Sequence, residues 1–181
     1  MKKPNFFIIG APKCGTTSLA AWLTEHPNIY MSPIKEPLYY CSDFRVKYRV
    51  PRNRFEYEQL FWAASEKHMA VGEASVWYLY SKVAIPNIER KHPGAQYIVM
   101  VRNPVEMAYS LHDELTYWGH EHIKQFDKAW RLSPERRVGR KITRRCQVPP
   151  QWLDYQKVCL LGDQLERLFR LVPRERVLII V

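Results

Sequence analysis

The sequence lacks the cysteine patterns of a zinc site or of a disulfide framework. Its four cysteines, Cys14, Cys41, Cys146 and Cys159, form no CxxC pair and have no histidine at the spacing of a zinc ligand. Disulfide bonds are therefore not expected, and a reducing compartment suits the chain best.

Long apolar runs are also absent. No run of 18 or more apolar residues occurs, so no membrane-spanning helix is predicted. The opening MKKPNFFIIGA has the two lysines and the apolar stretch of a signal peptide. However, Phe6 to Ile9 is too short for the apolar core of such a peptide, and Pro12 and Lys13 follow closely. We therefore expect a cytoplasmic protein.

No internal repeat and no low-complexity linker divides the 181 residues, so we expect a single domain over residues 1–181. A net charge of +10 favours anionic partners, without choosing among nucleotides, nucleic acids, acidic lipids and sulfated glycans. The sequence does not indicate an oligomeric state.

Part of the positive charge is concentrated in residues 135–145, where six basic residues accompany a single acid, Glu135. The six are Arg136, Arg137, Arg140, Lys141, Arg144 and Arg145. Such a segment is a solvated loop or helix face, or else a contact surface for a polyanionic acceptor. Nucleic-acid binding is disfavoured because no recognisable nucleic-acid-binding motif accompanies the charge.

Strand and helix patterns alternate along most of the chain. Short apolar runs predict strands, with helical patterns between them, and residues 28–67 are irregular and rich in aromatic residues. The predicted strands are 6–9, 70–74, 97–101 and 177–181, the last read as fully buried, and the predicted helices are 17–25, 83–91, 104–118 and 152–171. This alternation favours a central parallel sheet with helices on both faces, that is, an α/β fold.

The segment Phe6 to Leu19, FFIIGAPKCGTTSL, has the chemistry of an anion-binding loop. A glycine turn leads from a strand to a helix N-terminus, where unpaired amides and the helix dipole favour negative charge. The order of its residues differs from the ATP-binding pattern GxxxxGK[ST], because Lys13 precedes Gly15 by two residues. That difference argues against a magnesium-dependent kinase or GTPase.

GAPKCGTTSL followed by LxxHP, together with the later VRNPVEMAYS, resembles the two donor-binding signatures of PAPS-dependent sulfotransferases. The match is to their bacterial and glycan-type branch, which includes the heparan sulfate sulfotransferases. The resemblance implies a P-loop-like three-layer α/β/α domain with PAPS (3′-phosphoadenosine-5′-phosphosulfate) as co-substrate, PAP as product and no metal. The residues that it implies for donor binding are Lys13, Cys14, Gly15, Thr16, Thr17, Ser18, Arg102 and Ser110.

The same resemblance implies two catalytic residues. Lys13 would stabilise the leaving group, and Glu36, in SPIKEPLYY, matches the glutamate that deprotonates the acceptor. Two alternatives stay open for these carboxylates: Glu36 could simply pair with Lys35 or another cation, and Glu73 could be the base. A lysine common near Glu73 in related sequences is replaced here by Ala74.

The resemblance covers nearly the whole chain. It implies that the C-terminal part of the family domain, which closes over the nucleotide, is missing after Val181. We expect transfer of a sulfuryl group to a hydroxyl or amine of a carbohydrate or small metabolite, and a catalytically silent PAP- or PAPS-binding homologue is the alternative. Residues 30–62 and 118–150 are the expected acceptor segments.

Overall fold

Five parallel strands form the centre of the computed structural model, which describes residues 2–47 and 51–181. The strands are β1 (Phe6–Gly10), β2 (Ile29–Met31), β3 (Ala70–Ala74), β4 (Gln96–Met100) and β5 (Val177–Ile180). They lie in the order β2-β3-β1-β4-β5, and every neighbouring pair is parallel. The predicted central parallel sheet is confirmed.

Eight α-helices accompany the sheet in the described residues. They are α1 (Thr16–Glu25), α2 (Arg54–Gln59), α3 (Ala84–Lys91), α4 (Pro104–Tyr117), α5 (Phe126–Arg131), α6 (Ser133–Arg137), α7 (Tyr155–Val158) and α8 (Leu161–Leu171). Within residues 2–47 and 51–181, no helix has both the length and the apolar character needed to cross a membrane.

The side chains of β1 alternate between two apolar layers, as the period of a strand requires. Phe6 and Ile8 pack on one face of the sheet with α1, through Leu19 and Leu23. Phe7 and Ile9 belong to the larger core on the opposite face, to which α3, α4 and α8 contribute Ile88, Met107, Leu111 and Leu168. Helices therefore cover both faces, which confirms the predicted three-layer α/β/α architecture.

The two strand-to-helix junctions singled out in the sequence are neighbours in the fold. β1 pairs directly with β4, and the carboxyl ends of parallel strands meet at one edge of a sheet. Ala11 donates its backbone N–H to the carbonyl of Met100 at 2.6 Å, which continues this pairing into the loops. At the second junction Asn103 caps α4 by accepting from the N–H of Val105 at 2.9 Å, and Pro104 is the first helical residue, as predicted.

Residues 28–67 contain two elements that the sequence did not predict, β2 and α2. β2 is only three residues long, too short for an alternating pattern to be recognised. The six-residue helix α2 is fixed by Asn53, whose side chain accepts from the N–H of Glu56 at 2.9 Å. A local cap thus forms a helix where hydrophobic periodicity gave no signal.

The single helix predicted over residues 152–171 is wrong. A 3₁₀ turn (Pro150–Leu153), α7 and α8 occupy this region. Asp154 starts α7 by accepting from the N–H of Lys157 at 3.3 Å, and Leu160 takes a non-helical conformation before α8. The apolar residues at helical spacing lie in α8 alone. The aromatic residues before it, Trp152 and Tyr155, lie in the 3₁₀ turn and in α7.

Strand β5 is confirmed, but its predicted full burial is wrong. β5 forms the edge of the described sheet next to β4, and Leu178 is 56% exposed. An uninterrupted apolar run is typical of a strand covered on both faces, yet it does not report whether a strand is central or at an edge.

The basic segment 135–145 is only partly a surface. Arg136 is completely buried, and its guanidinium contacts the buried carboxylate of Glu121, with Nη2 donating to Oε1 at 2.7 Å. Arg137 donates from Nε to Asp154 Oδ2 at 2.6 Å. These two arginines therefore hold α6 against its neighbours. Arg136 is inaccessible to a polyanion, whereas the Arg137 side chain is 45% exposed and stays at the surface with the other basic residues.

Replacing Arg136 by Met would leave the carboxylate of Glu121 buried without its cation. We expect the free energy of unfolding to fall by about 3–5 kcal/mol, measured by urea denaturation. Arg140→Met is the matched control, because the Arg140 side chain is 74% exposed, and it should cost less than about 0.5 kcal/mol. Equal losses in the two variants would show that the buried pair does not stabilise the fold.

Candidate active site

A cavity of about 640 Å³ lies at the carboxyl edge of the sheet. Six of the residues predicted for the site line it: Lys13, Gly15, Thr16, Thr17, Glu36 and Ser110. Cys14, Ser18 and Arg102 are absent from its lining. The loop after β1, the segment after β2 and helix α4 thus meet around one space of ligand size.

The loop after β1 turns through two left-handed conformations, at Lys13 (φ 62°) and Gly15 (φ 81°). Gly15 immediately precedes α1, so the amides of Thr16, Thr17 and Ser18 are first-turn amides with no acceptor one turn earlier in the helix. The hydroxyls of these three residues form no hydrogen bond to any residue within 2–47 and 51–181. The loop therefore presents donors and one cation at a helix N-terminus, which suits an anion.

Arg102 connects the second signature to the first. Its Nη1 donates to the backbone carbonyl of Lys13 at 3.3 Å, and its Nη2 contacts the carboxylate of Glu106. The guanidinium is 40% exposed and lies at the junction of the two loops. Ser110, two turns along α4, faces the cavity. Arg102 thus lies beside the loop, two residues before α4, and Ser110 lies on that helix.

Glu114 is a cavity residue that the sequence did not single out. Its Oε2 lies 3.3 Å from Nζ of Lys13, and it lines the cavity one helical turn after Ser110. The available signal was its spacing: residues four apart on a helix share a face, so Glu114 had to accompany Ser110.

Glu36 lines the cavity, and it is paired with Lys35 as well. Its Oε1 contacts Nζ of Lys35 at 2.6 Å, and its Oε2 accepts from the N–H of Val76 at 3.0 Å. Its own N–H donates to the carbonyl of Ala74 at 2.8 Å, which fixes the residue to the end of β3. Burial raises the pKa of the Glu36 carboxyl, and the Lys35 ammonium partly offsets that increase.

Glu73, the competing carboxylate, does not line the cavity. It is fully buried and accepts hydrogen bonds from the hydroxyls of Tyr57 and Tyr78 (both 2.9 Å) and Ser75 (2.8 Å). Burial raises the pKa of Glu73 to about 7, and the three hydroxyl donors limit that increase. Its place in the structure is that of a buried polar centre beneath the site.

Cys14 lies just before a helix N-terminus, a position that by itself favours a thiolate. The thiol is buried and donates to the carbonyl of Pro12 at 3.4 Å, and burial raises its pKa. Desolvation outweighs the neighbouring Arg102 charge, so the side chain is a packing element.

Aromatic residues form the other side of the cavity. Trp77 and Trp152 stack with ring centroids 4.0 Å apart, while Trp118 is 66% exposed. His120 also lines the cavity, and burial lowers its pKa. Trp118 directly follows α4 and His120 comes soon after it, whereas Trp152 is far along the chain, and no sequence motif linked any of the three to the loop.

Among the described residues, no cluster of three or more His, Cys, Asp or Glu side chains is arranged to hold a metal ion.

Residues 48–50 of the first expected acceptor segment lie outside the described residues.

The raised pKa of Glu73 makes the stability of the fold depend on pH. Between pH 4.5 and about 7 the unfolded chain loses this proton while the folded chain keeps it, so wild-type stability falls as the pH rises. Relative to Glu73→Gln, which does not titrate, the wild type should lose roughly 3 kcal/mol across that interval in chemical denaturation. The exposed-site control Glu66→Gln should follow the wild type, and identical pH curves for the wild type and Glu73→Gln would contradict the assignment.

Known proteins share this fold and part of this sequence. The crystal structure of a sulfotransferase from Alicyclobacillus acidocaldarius superposes with a TM-score of 0.84 at 33% sequence identity, covering 99% of this chain and 73% of that one. The membrane-associated sulfotransferase kil1 of Dictyostelium discoideum is 30% identical over 115 residues, which are 64% of this chain and 24% of the relative. Human carbohydrate sulfotransferase 15 is 31% identical over an alignment covering 59% of this chain and 26% of the relative.

No family model matches the sequence. The chain spans about a quarter of the length of the kil1 and carbohydrate sulfotransferase 15 proteins. The bacterial structure, by contrast, is similar along nearly all of this chain and through the sheet, the loop after β1 and α4. The chain belongs to the sulfotransferase family.

Proposed function

We propose that the chain transfers a sulfuryl group from PAPS to a hydroxyl, or to an amine, of a carbohydrate or small metabolite. The observation that carries the proposal is the meeting of Lys13, Thr16, Thr17, Ser110 and Glu36 around one cavity. Cation, helix amides, hydroxyls and a carboxylate are the groups that in-line transfer between an anionic donor and a hydroxyl requires.

In this proposal the loop after β1 holds the 5′-phosphosulfate. Amides from Cys14 to Ser18 and the ammonium of Lys13 neutralise the charge that collects on the departing phosphate. Arg102 and Ser110 bind the 3′-phosphate, for which a guanidinium gives two parallel charge-assisted hydrogen bonds. The hydrogen bond from Arg102 to the carbonyl of Lys13 fixes the two phosphate positions relative to each other.

Glu36 is the proposed base. It removes the proton of the acceptor hydroxyl as the oxygen attacks sulfur, and the bond between sulfur and the 5′-phosphate oxygen breaks, releasing PAP. A raised pKa suits this role, because a carboxylate of higher pKa is the stronger base and takes the acceptor proton more readily. Glu73 is buried and does not line the cavity, so its position does not support the same role.

A glycan is the acceptor class that we favour. One relative is named a carbohydrate sulfotransferase, and here the exposed Trp118 and Lys35 both line the cavity. An indole face suits the apolar side of a sugar ring, and a lysine suits an acidic or sulfated sugar. The cytoplasmic location expected from the sequence stays a prediction, since one relative is named membrane-associated.

Replacing Arg102 by Ala should weaken PAP binding about 10- to 100-fold, because a charge-assisted contact to phosphate is lost. Isothermal titration calorimetry measures the dissociation constant. Arg170→Ala is the matched control, since Arg170 likewise contacts a glutamate four residues away and is 73% exposed. If both variants bind PAP as the wild type does, the proposed phosphate clamp is wrong.

Replacing Glu36 by Gln should lower turnover about 10²- to 10⁴-fold while leaving PAP affinity within about twofold. Transfer of radiolabelled sulfate from PAPS to a panel of glycans and small hydroxyl compounds measures the rate. In the wild type the rate should rise with pH through a pKa above that of an ordinary glutamate, and this limb should disappear in Glu36→Gln.

Two outcomes would contradict this reaction. A His120→Asn variant that loses turnover while Glu36→Gln retains it would move the base to His120. A wild-type chain that binds PAP and transfers no sulfate to any acceptor would identify a catalytically silent PAP-binding homologue.

A further inference from the structure

Helix α4 carries an acidic stripe on either side of Ser110. Glu106, Ser110 and Glu114 are spaced by four residues, so they lie along one face of the helix. Glu106 contacts the guanidinium of Arg102, and Glu114 contacts the ammonium of Lys13 at 3.3 Å. Each proposed donor-binding cation therefore already has a carboxylate partner on the helix that supplies the phosphate-binding hydroxyl.

Both ion pairs are half-exposed. The side chains of Lys13 and Glu114 are 30% and 41% exposed, and those of Arg102 and Glu106 are 40% and 60% exposed. Such pairs contribute little to stability, so a phosphate group can replace the carboxylate at small cost. The same pairs hold the two long cationic side chains near their working positions before a ligand arrives.

We propose that Glu114 is a positioning residue that holds Lys13 before the donor binds and is displaced from it by the phosphosulfate of the donor. The inference rests on the proposed function, because it assigns Lys13 to the donor. Arg102 and Glu106 repeat the same arrangement at the position proposed for the 3′-phosphate.

This exchange makes the site selective for multiply charged anions. A ligand displaces Glu114 only if it binds the Lys13 ammonium more strongly than that carboxylate does, and a phosphoanhydride of high charge does so. A weakly charged ligand would leave Lys13 paired with Glu114. Once displaced, Glu114 remains beside the bound anion, so it opposes tight retention of the product as well as of the donor.

A double-mutant cycle on Lys13 and Glu114 tests the exchange. Calorimetry with PAP, and separately with inorganic pyrophosphate, gives dissociation constants for the wild type, Glu114→Gln, Lys13→Met and the double variant. Asp113→Asn is the matched control, because it removes one negative charge from the neighbouring position of α4, where the side chain is 83% exposed. The melting temperature of each unliganded variant shows that it is folded.

We expect Glu114→Gln to lower the dissociation constant of PAP about fivefold. In the Lys13→Met background the same substitution should lower that constant less than twofold. Asp113→Asn should change affinity by less than twofold. An equal gain in both backgrounds would show a long-range charge effect, and weaker binding by Glu114→Gln would show that Lys13 binds the donor while still paired. Either result overturns the exchange.

The pyrophosphate titrations separate this inference from the proposed function. If the wild type binds pyrophosphate with the expected dependence on Glu114 and Lys13 but does not bind PAP, the exchange holds and the proposed donor is wrong. If it binds PAP without that dependence, the donor holds and the exchange is wrong. If it binds neither ligand, both are wrong.

Discussion

The parallel pairing of β1 with β4 is the constraint on which the site depends. It puts the loop after β1 and the start of α4 at one edge of the sheet, although 89 residues separate Lys13 from Arg102. The hydrogen bond from Arg102 to the carbonyl of Lys13 then joins the two segments directly. Because β1 is central and packs on both faces, the loop that follows it leaves a rigid part of the molecule.

Charge is arranged around the cavity as alternating pairs. Lys35 contacts Glu36 and Lys13 contacts Glu114, so two basic and two acidic side chains are matched one to one at the cavity. In a partly desolvated space, opposite charges held in pairs cost less than unpaired ones. Donor binding therefore also affects the carboxylates, because a cation that moves to the donor loses its contact with its carboxylate partner.

The sequence predicted those parts that local patterns determine. Apolar runs predicted β1, β3 and β4, and a helix cap predicted the start of α4. Two motifs singled out Lys13, Arg102 and Ser110, whose roles in donor binding stay predictions. The resemblance also pointed to Glu36, whose place at the cavity depends on a backbone bond to Ala74. Long-range packing was out of reach: the burial of Arg136 against Glu121, the division of residues 152–171, and the approach of Glu114, Trp152 and His120 to one cavity.

The central claim is that the loop after β1 and the start of α4 together hold the two phosphate ends of one nucleotide. A crystal structure of the chain with PAP tests it most directly. The account predicts the 5′-phosphate against the amides of residues 14–18 and Lys13, and the 3′-phosphate within hydrogen-bond distance of Arg102 and Ser110. PAP bound elsewhere, for example in the separate cavity beside Lys3 and His92, or with its 3′-phosphate away from Arg102, would contradict it.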